Sequence, residues 1–249
     1  MGTGFSDHFS NQATQYAAFR PGYPDALFQY LASVCPQTTL ACDCATGNGQ
    51  AAMGLAEYFD CVIASDASRP QIAHARPHAQ VHYLVAAAES LPLRDASVDL
   101  LIIAQALHWL DRRRFFAEVS RVLKPRGRFA AWCYGLARID SAVDGVVRRL
   151  YSDILGAFWP PERRFIESGY AEFRWPFPLQ DTPTFCMSAR WTREQLLGYL
   201  SSWSAVQHFR QRHGEDPLEL IREQLQRAWP DAEPRNVQWP LSLKLGTPR

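Results

Sequence analysis

The chain has 249 residues, 47% of them apolar and 20% charged, and its formal net charge is +1. This length and balance favour a globular α/β domain and exclude a disordered chain, and the near-neutral charge argues against nucleic acid as an obligatory partner. Because residues 1–12 are polar and no apolar run reaches the ~18 residues of a membrane span, we expect a cytoplasmic protein without a membrane partner.

From residue 39 onward, short apolar runs alternate with segments of helical period. This pattern is typical of βαβ units and predicts an α/β fold with a doubly wound, mostly parallel sheet. The predicted strands are Thr39–Cys44, Cys61–Ser65, Val81–Ala86, Val98–Ala104 and Arg128–Cys133. The predicted helices are Gln50–Tyr58, Arg69–Arg76 and Arg112–Leu123, preceded by one or two between Ser10 and Ala32 that the prolines of Pro21-Gly22-Tyr23-Pro24 interrupt.

After Gly135 the strict alternation ends, and six of the eight tryptophans lie in this second half. We expect a helical cap over the edge of the sheet. A capping box from Thr192 to Gln195 opens a helical stretch to His208, and Asp216-Pro217 starts a helix to Ala228. The run Asn236–Leu245 is predicted to be a closing strand.

Four of the six cysteines, Cys42, Cys44, Cys61 and Cys133, lie in or beside predicted buried strands rather than in loops. We therefore expect free thiols in a reducing compartment. The sequence has neither a Cys-x-x-Cys pair nor a His/Cys cluster with zinc spacing, so it predicts no metal site.

A loop of small residues, Asp43 to Gln50, joins the first predicted strand to the first helix of the sheet. Small side chains at Ala45, Gly47 and Gly49 let backbone amides approach a ligand at the helix N-terminus. The spacing differs from the Gly-x-Gly-x-x-Gly of nicotinamide-binding folds.

Asp66 follows the second strand, about twenty residues beyond the glycines, where a carboxylate can accept both hydroxyls of an adenosine ribose. The alternative is that Asp66 only caps the next helix.

Five motifs together identify a family. They are Tyr16-Ala17-Ala18-Phe19-Arg20-Pro21-Gly22-Tyr23-Pro24, the Asp43 to Gln50 loop, Ala88-Glu89-Ser90-Leu91-Pro92-Leu93, Gln105-Ala106-Leu107-His108-Trp109, and Val122-Leu123-Lys124-Pro125-Arg126-Gly127. With these motifs the chain resembles the class I S-adenosylmethionine (SAM)-dependent methyltransferases of type 11, in particular those similar to trans-aconitate methyltransferase and, more distantly, the ubiquinone/menaquinone methyltransferases. The likeness covers residues 5–132 well and continues weakly through 200–204 and 239–241.

The resemblance implies a Rossmann-like sheet of seven strands, the last antiparallel, with SAM across the carboxyl ends of the first strands. It implies one domain, with an N-terminal helical segment (1–38), a cofactor core (39–134), a cap for substrate (135–235) and a closing strand (236–249). It assigns cofactor contacts to Asp43, Ala45, Gly47 and Gly49 for the methionine portion, Asp66 and Ala67 for the ribose, Ala88 and Glu89 for the adenine, Gln105 beside the methyl group, and Arg20 for the carboxylate.

The resemblance also places Tyr16 against the sulfonium or the substrate, where an aromatic face stabilises a cation. The alternative is that Tyr16 packs in the core and Arg20 lies on the surface. Ala45 departs from the family, which commonly has glycine at that position, and a methyl group there reduces backbone freedom.

His108 and Trp109 follow the fourth strand, at the edge where open α/β sheets bind ligands. His108 is a candidate base for a hydroxyl or amine acceptor, or else only packs there. A carboxylate acceptor, which the trans-aconitate likeness suggests, needs no base. Trp109 and Trp203 are candidate walls of the substrate pocket, with core packing as the alternative for Trp203. The basic run Arg112 to Arg114 is either a solvated helix face or an anion-binding rim.

The sequence therefore predicts a SAM-dependent methyltransferase (EC 2.1.1.-) that acts on an oxygen, nitrogen or carbon of a small molecule, a carboxylate among the candidates, as a monomer or homodimer. The alternative is a catalytically silent SAM-binding protein with a regulatory or assembly role. A nicotinamide oxidoreductase conflicts with the glycine spacing, and an RNA methyltransferase lacks a basic surface.

Overall fold

The computed structural model describes residues 21–248, and these residues form one mixed sheet with helices on both faces. The strand order is β3-β2-β1-β4-β5-β8-β6, with β7 also paired to β8. The strands are β1 Leu40–Cys44, β2 Cys61–Asp66, β3 Val81–Val85, β4 Val98–Ala104, β5 Leu123–Tyr134, β6 Leu179–Gln180, β7 Phe185–Trp191 and β8 Arg235–Gly246.

The first five strands are parallel, as their apolar runs predict. Strand β4 shows why: every residue from Leu100 to Ile103 is fully buried. Since neighbouring side chains of a strand point to opposite faces, both faces of the sheet must be covered. Leu100 and Ile102 pack into one core, while Leu101 and Ile103 pack into the other.

The two cores are built by different helices. The helices are α1 Asp25–Ser33, α2 Gln50–Leu55, α3 Arg69–Ala73, α4 Arg112–Val122, α5 Ser141–Arg149, α6 Arg163–Glu167, α7 Arg193–Ser201, α8 Ser204–His213 and α9 Glu219–Ala228. Helices α1, α2, α5 and α7 to α9 pack on one side, whereas α4 and α6 pack on the other. No helix within residues 21–248 has the length and hydropathy to cross a bilayer.

Strand β8 runs antiparallel to β5, which confirms the predicted closing strand. On its other side, β6 pairs with Leu245 and Gly246, and β7 pairs with Arg235 to Leu241. Because β6 and β7 adjoin different ends of β8, the eight strands fill seven positions in the sheet.

The strands β6 and β7 lie within residues 135–235, where the sequence predicts a helical cap and no strand. Alternate residues of β7, such as Met187 and Trp191, are buried against the core. This two-residue period is the signature of a half-covered strand, but its partner β8 lies far along the chain. Because the local pattern is short, the sequence alone does not distinguish it from the rest of the cap.

The helical stretch predicted from Thr192 to His208 is two helices, α7 and α8. The capping box is confirmed, since Thr192 Oγ1 accepts from Gln195 N and Gln195 Oε1 accepts from Thr192 N. The break comes at Trp203, whose backbone is extended (φ −70°, ψ 136°). Burial of its indole among aromatic rings stabilises the turn, and no local propensity signals it.

Smaller differences concern element ends. Strand β5 begins at Leu123 rather than Arg128, because Leu123 pairs with Val98 before residues 124–127 bulge out of the ladder. Helix α2 ends at Leu55, short of Tyr58. All six cysteines are free thiols.

Candidate active site

The ends of β1 and β2 meet at the carboxyl edge of the sheet. Thr46 N donates to Ser65 O (2.9 Å), and Gly47 N donates to Asp66 Oδ2 (2.8 Å). The other carboxylate oxygen of Asp66 accepts from Ser68 N (2.8 Å), while Ser68 itself caps α3. Asp66 therefore shapes the turn after β2 and ties it to the glycine loop, and it is not the cap residue of that helix. The neighbouring Ala67 is half-buried in the same turn.

Three residues of the small-residue loop have left-handed backbone. The φ angles are 52° at Ala45, 59° at Gly47 and 86° at Gly49. Glycine adopts this region freely, but a Cβ makes it cost about 1 kcal/mol or more. At Gly49 a Cβ would also collide with the hydroxyl and ring of Tyr83, so a larger residue would force Tyr83 to move. The spacing of small residues in the sequence is thus explained by backbone geometry, with Ala45 as the strained position.

Asp43, at the end of β1, is fully buried beneath this loop. Its Oδ2 accepts a short hydrogen bond from Thr46 Oγ1 (2.5 Å), whereas Oδ1 has no partner among the described residues. Burial raises the pKa of Asp43 to about 7, and the Thr46 hydrogen bond only partly offsets that rise. A buried carboxylate oxygen with no donor is costly unless a ligand supplies one.

Ala88 and Glu89 lie after β3, where Ala88 is buried and Glu89 half-buried. Glu89 Oε1 accepts from Asp111 N (3.1 Å). The next turn is held by Glu118, which accepts from Leu91 N (2.6 Å), so the segment after β3 is anchored to α4. These contacts bring the Ala88-Glu89 pair to the same carboxyl edge.

Gln105 follows β4 with a left-handed φ of 56°. Its side-chain amide donates to Tyr134 O (3.0 Å) and accepts from Tyr134 N (3.1 Å). The Gln105 side chain thus makes the hydrogen bonds to β5 that a strand backbone would otherwise make. The main chain leaves the sheet at this point.

A cavity of about 80 Å³ opens beside Gln105, between the sheet edge and the cap. Its walls combine residues that follow β4 and β5 with residues of the cap. They are Gln105, His108, Trp109, Tyr134, Gly135, Trp159, Pro160, Arg163, Ile166, Tyr199, Ser202, Trp203 and Ser204. The predicted wall residues Trp109 and Trp203 both lie here, together with the candidate base His108.

His108 lies in a short 3₁₀ turn, Leu107–Trp109, and its Nδ1 is 3.4 Å from the hydroxyl of Tyr170. Burial, reinforced by the positive charge of Arg163, lowers the pKa of His108 to about 3. The imidazole is therefore neutral near pH 7. Because the neutral imidazole of His108 holds a proton only weakly, His108 is a poor base for a hydroxyl or amine.

The family is shown by comparison with known proteins. A family model described as a methyltransferase domain matches residues 42–131. A protein of Dictyostelium discoideum assigned as a methyltransferase is 35% identical over 231 residues, covering 91% of this chain and 88% of that protein. The chain belongs to the class I, type 11 SAM-dependent methyltransferases.

A solved structure agrees with this assignment over nearly the whole fold. It is a protein of Anaeromyxobacter dehalogenans assigned as a type II methyltransferase, with a TM-score of 0.87, 48% identity, and coverage of 92% of this chain and 97% of that chain. A yeast protein assigned as a SAM-dependent methyltransferase is 31% identical over 132 residues, which cover 49% of this chain and 45% of that protein. The cofactor of the family is SAM, and the sequence-based prediction of SAM is confirmed.

The edge of this methyltransferase's sheet fits the cofactor in two respects. The orphaned Oδ1 of Asp43 is a buried acceptor of the kind that a cationic amine satisfies. A Cβ built on Gly47 meets only Gln71 Oε1, at 3.9 Å, so the backbone there is open to close approach. Both features belong to the loop that the sequence singled out.

Some of the predicted site residues are not part of this arrangement. Tyr16 and Arg20 lie outside the described residues. Arg112, Arg113 and Arg114 are exposed at the start of α4, after the Asp111 cap, and do not line the cavity. Arg112 instead lies over the rings of Phe165 and Phe173, at 5.1 and 4.9 Å.

The wall residues that sequence-based reasoning missed include Tyr134, Trp159, Arg163 and Tyr199. Tyr134 had a usable signal, because it ends β5 next to the β4 edge. The other three come from the cap, where no motif marks them.

Proposed function

We propose that this methyltransferase moves the methyl group of SAM to a small molecule bound in the cavity beside Gln105. The observation that carries the proposal is the position of that cavity. It is bounded by Gln105 at the end of β4, and β4 adjoins β1, which ends in the cofactor loop. A small acceptor held there would lie next to the methyl donor.

The cofactor contacts that the family implies fit the residues at the sheet edge. The Asp43 carboxylate would accept a hydrogen bond from the amine of the methionine portion of SAM. The backbone at Ala45, Gly47 and Gly49 would lie close to that portion. Asp66 and Ala67 would border the ribose, and Ala88 with Glu89 the adenine. SAM supplies an electrophilic methyl group on a sulfonium, and the contribution of this chain is to hold donor and acceptor in one orientation.

The walls of the cavity are suited to excluding water. Trp203 packs edge-on against Tyr151 and is 5.5 Å from Trp159 between ring centroids. Trp109 also lines the cavity, with its ring centroid 4.7 Å from that of His108. Aromatic rings that keep water away from a bound acceptor strengthen each polar contact to it.

The acceptor nucleophile that best suits this cavity is one already deprotonated near pH 7, such as a carboxylate oxygen. His108 is held neutral, and as a base it would be weak. It serves better as a hydrogen-bonding group, oriented by Tyr170, than as a proton acceptor. Positioning and exclusion of water then supply the acceleration.

The test is an assay for S-adenosylhomocysteine release over a panel of small acids, alcohols and amines, with transfer RNA as a further acceptor. We expect release with at least one small molecule. Binding of SAM measured by calorimetry, without release from any acceptor, would support the silent SAM-binding alternative. Release with the RNA alone would overturn the small-molecule proposal.

A pair of tryptophan variants links activity to the cavity. Trp203→Ala opens the wall, and we expect kcat/KM to fall about tenfold or more while SAM affinity stays constant. Trp175→Ala is the matched control, because Trp175 packs against Phe116 and Phe129 on the other face of the sheet and does not line the cavity. An equal loss in both variants would indicate general destabilisation rather than a role of Trp203 in the pocket.

A further inference from the structure

Arg163 is the cationic side chain in the wall of the substrate cavity. It begins α6, and its guanidinium lies over the ring of Trp159 at 4.8 Å and that of Tyr151 at 5.4 Å. Its Nε donates to the hydroxyl of Tyr151 (2.9 Å). Stacking and this hydrogen bond hold the guanidinium in one orientation.

The outer nitrogens of Arg163 have no acceptor among residues 21–248. None of the ion pairs of this part of the chain includes Arg163, whereas Arg121, Arg210 and Arg235 each pair with a carboxylate. Glu167, four residues further along, is not its counter-ion: Glu167 Oε1 accepts from the hydroxyl of Tyr151 (2.5 Å). Arg163 thus presents Nη1 and Nη2 without a partner among the described residues, although it is only half-exposed.

The remaining walls do not neutralise this charge. Within the described part of the chain, no aspartate or glutamate lines the cavity. The charge of Arg163 acts on its neighbours, since it adds to burial in lowering the pKa of His108 and opposes burial at Cys133 and Tyr170. The cavity therefore combines one cationic side chain with several aromatic walls.

We propose that Arg163 is the anion-recognition residue of the acceptor site, and that the acceptor is a small organic anion whose carboxylate forms paired hydrogen bonds with its guanidinium. This inference rests on the proposed function, because it places the acceptor in the same cavity. The planar fork of arginine matches a carboxylate in a two-point contact. Trp159 and Tyr151 strengthen that contact by excluding water from one side of the guanidinium.

The test uses carboxylic acids of up to about a dozen heavy atoms, aliphatic and aromatic, each paired with its neutral primary amide. Binding is measured by calorimetry in the presence of S-adenosylhomocysteine, so that no turnover is needed. We expect at least one acid to bind at least about tenfold more tightly than its amide, as hydrogen bonds to a charged group imply. Arg163→Met should remove the preference for acids over amides, and Arg163→Lys should keep only part of it.

Arg164→Met is the matched control, because Arg164 is the next residue and also lies over an aromatic ring, that of Phe165 at 4.7 Å, yet does not line the cavity. It should keep the preference for acids. Equal binding of acids and amides, an unchanged preference in Arg163→Met, or no binding by any panel member would overturn the inference. Acid binding that depends on Arg163 without S-adenosylhomocysteine release from SAM would support anion recognition while rejecting the proposed catalysis, so the two failures are distinguishable.

Discussion

The side-chain amide of Gln105 is hydrogen-bonded at both ends to the backbone of Tyr134. In this way a side chain extends the pairing of β4 with β5 by one step, after the backbone of Gln105 has turned into the left-handed region. The result is a fixed corner where the edge of the sheet adjoins the proposed substrate cavity. Gln105 therefore serves the site by fixing this corner as well as by lining the cavity.

Gln105→Leu removes both hydrogen bonds of this corner while keeping the volume similar. We expect the free energy of unfolding to fall by about 1–3 kcal/mol, measured by urea denaturation, and methyl transfer to fall with it. Gln211→Ala, at an exposed position of α8, should change stability by less than about 0.5 kcal/mol. Equal stability of Gln105→Leu and the wild type would show that the corner is held by other contacts.

The raised pKa of Asp43 predicts a pH-dependent stability. Because the folded-state value, about 7, exceeds the ordinary value of 3.8, the contribution of Asp43 is fully present below pH 4 and is lost as the pH rises through about 7. The Tm of the protein without cofactor should therefore fall between about pH 4 and 7 more steeply than that of Asp43→Asn.

SAM should change this behaviour if its amine meets the Asp43 carboxylate. A cation beside Asp43 favours the ionised form, so SAM affinity should rise with pH through about 7 in the wild type. Calorimetry at several pH values measures this slope. A slope that persists unchanged in Asp43→Asn would show that another group is responsible.

Ala45→Gly should relieve the strained backbone of the loop. A left-handed φ of 52° costs alanine about 1–2 kcal/mol, of which the greater freedom of glycine in the unfolded chain cancels a part. We expect a net gain of up to about 1 kcal/mol in the free energy of unfolding, and SAM affinity at least as high as in the wild type. Ala117→Gly, at an exposed position inside α4, should instead lose about 1 kcal/mol. A loss in both variants would contradict the assigned strain.

His108 should stay neutral across the physiological range. Its pKa is lowered to about 3, mainly by burial, so the stability it contributes is fully present above its ordinary value of 6.5 and is lost as the pH falls from 6.5 toward 3. In NMR spectra, the His108 ring signals should not titrate between pH 5 and 8. Arg163→Met should raise the pKa of His108, because it removes the positive charge that adds to the effect of burial. A wild-type midpoint near 6.5 would restore His108 as a candidate base.

The loop from Asp43 to Gln50 and the carboxylate of Asp66 were predictable because the signal is local. A left-handed turn between a strand and a helix demands small residues, and the carboxyl ends of parallel strands meet at one edge. The same logic placed His108 and Trp109 at that edge. The five parallel strands were predictable because strands buried on both faces of a sheet are continuous runs of apolar residues, as Leu100 to Ile103 show.

The substrate side depended on contacts between distant segments. Trp203, Trp159 and Arg163 converge on Gln105 only because the cap folds back over the sheet, and strand β7 forms only when β8 is beside it. The lowered pKa of His108 and the raised pKa of Asp43 arise from burial, which no spacing of residues encodes. Sequence alone determined the fold class and the small-residue edge proposed to bind the cofactor, through short-range backbone and periodicity rules. The shape, charge and protonation of the proposed acceptor cavity were decided by packing between residues far apart in the chain.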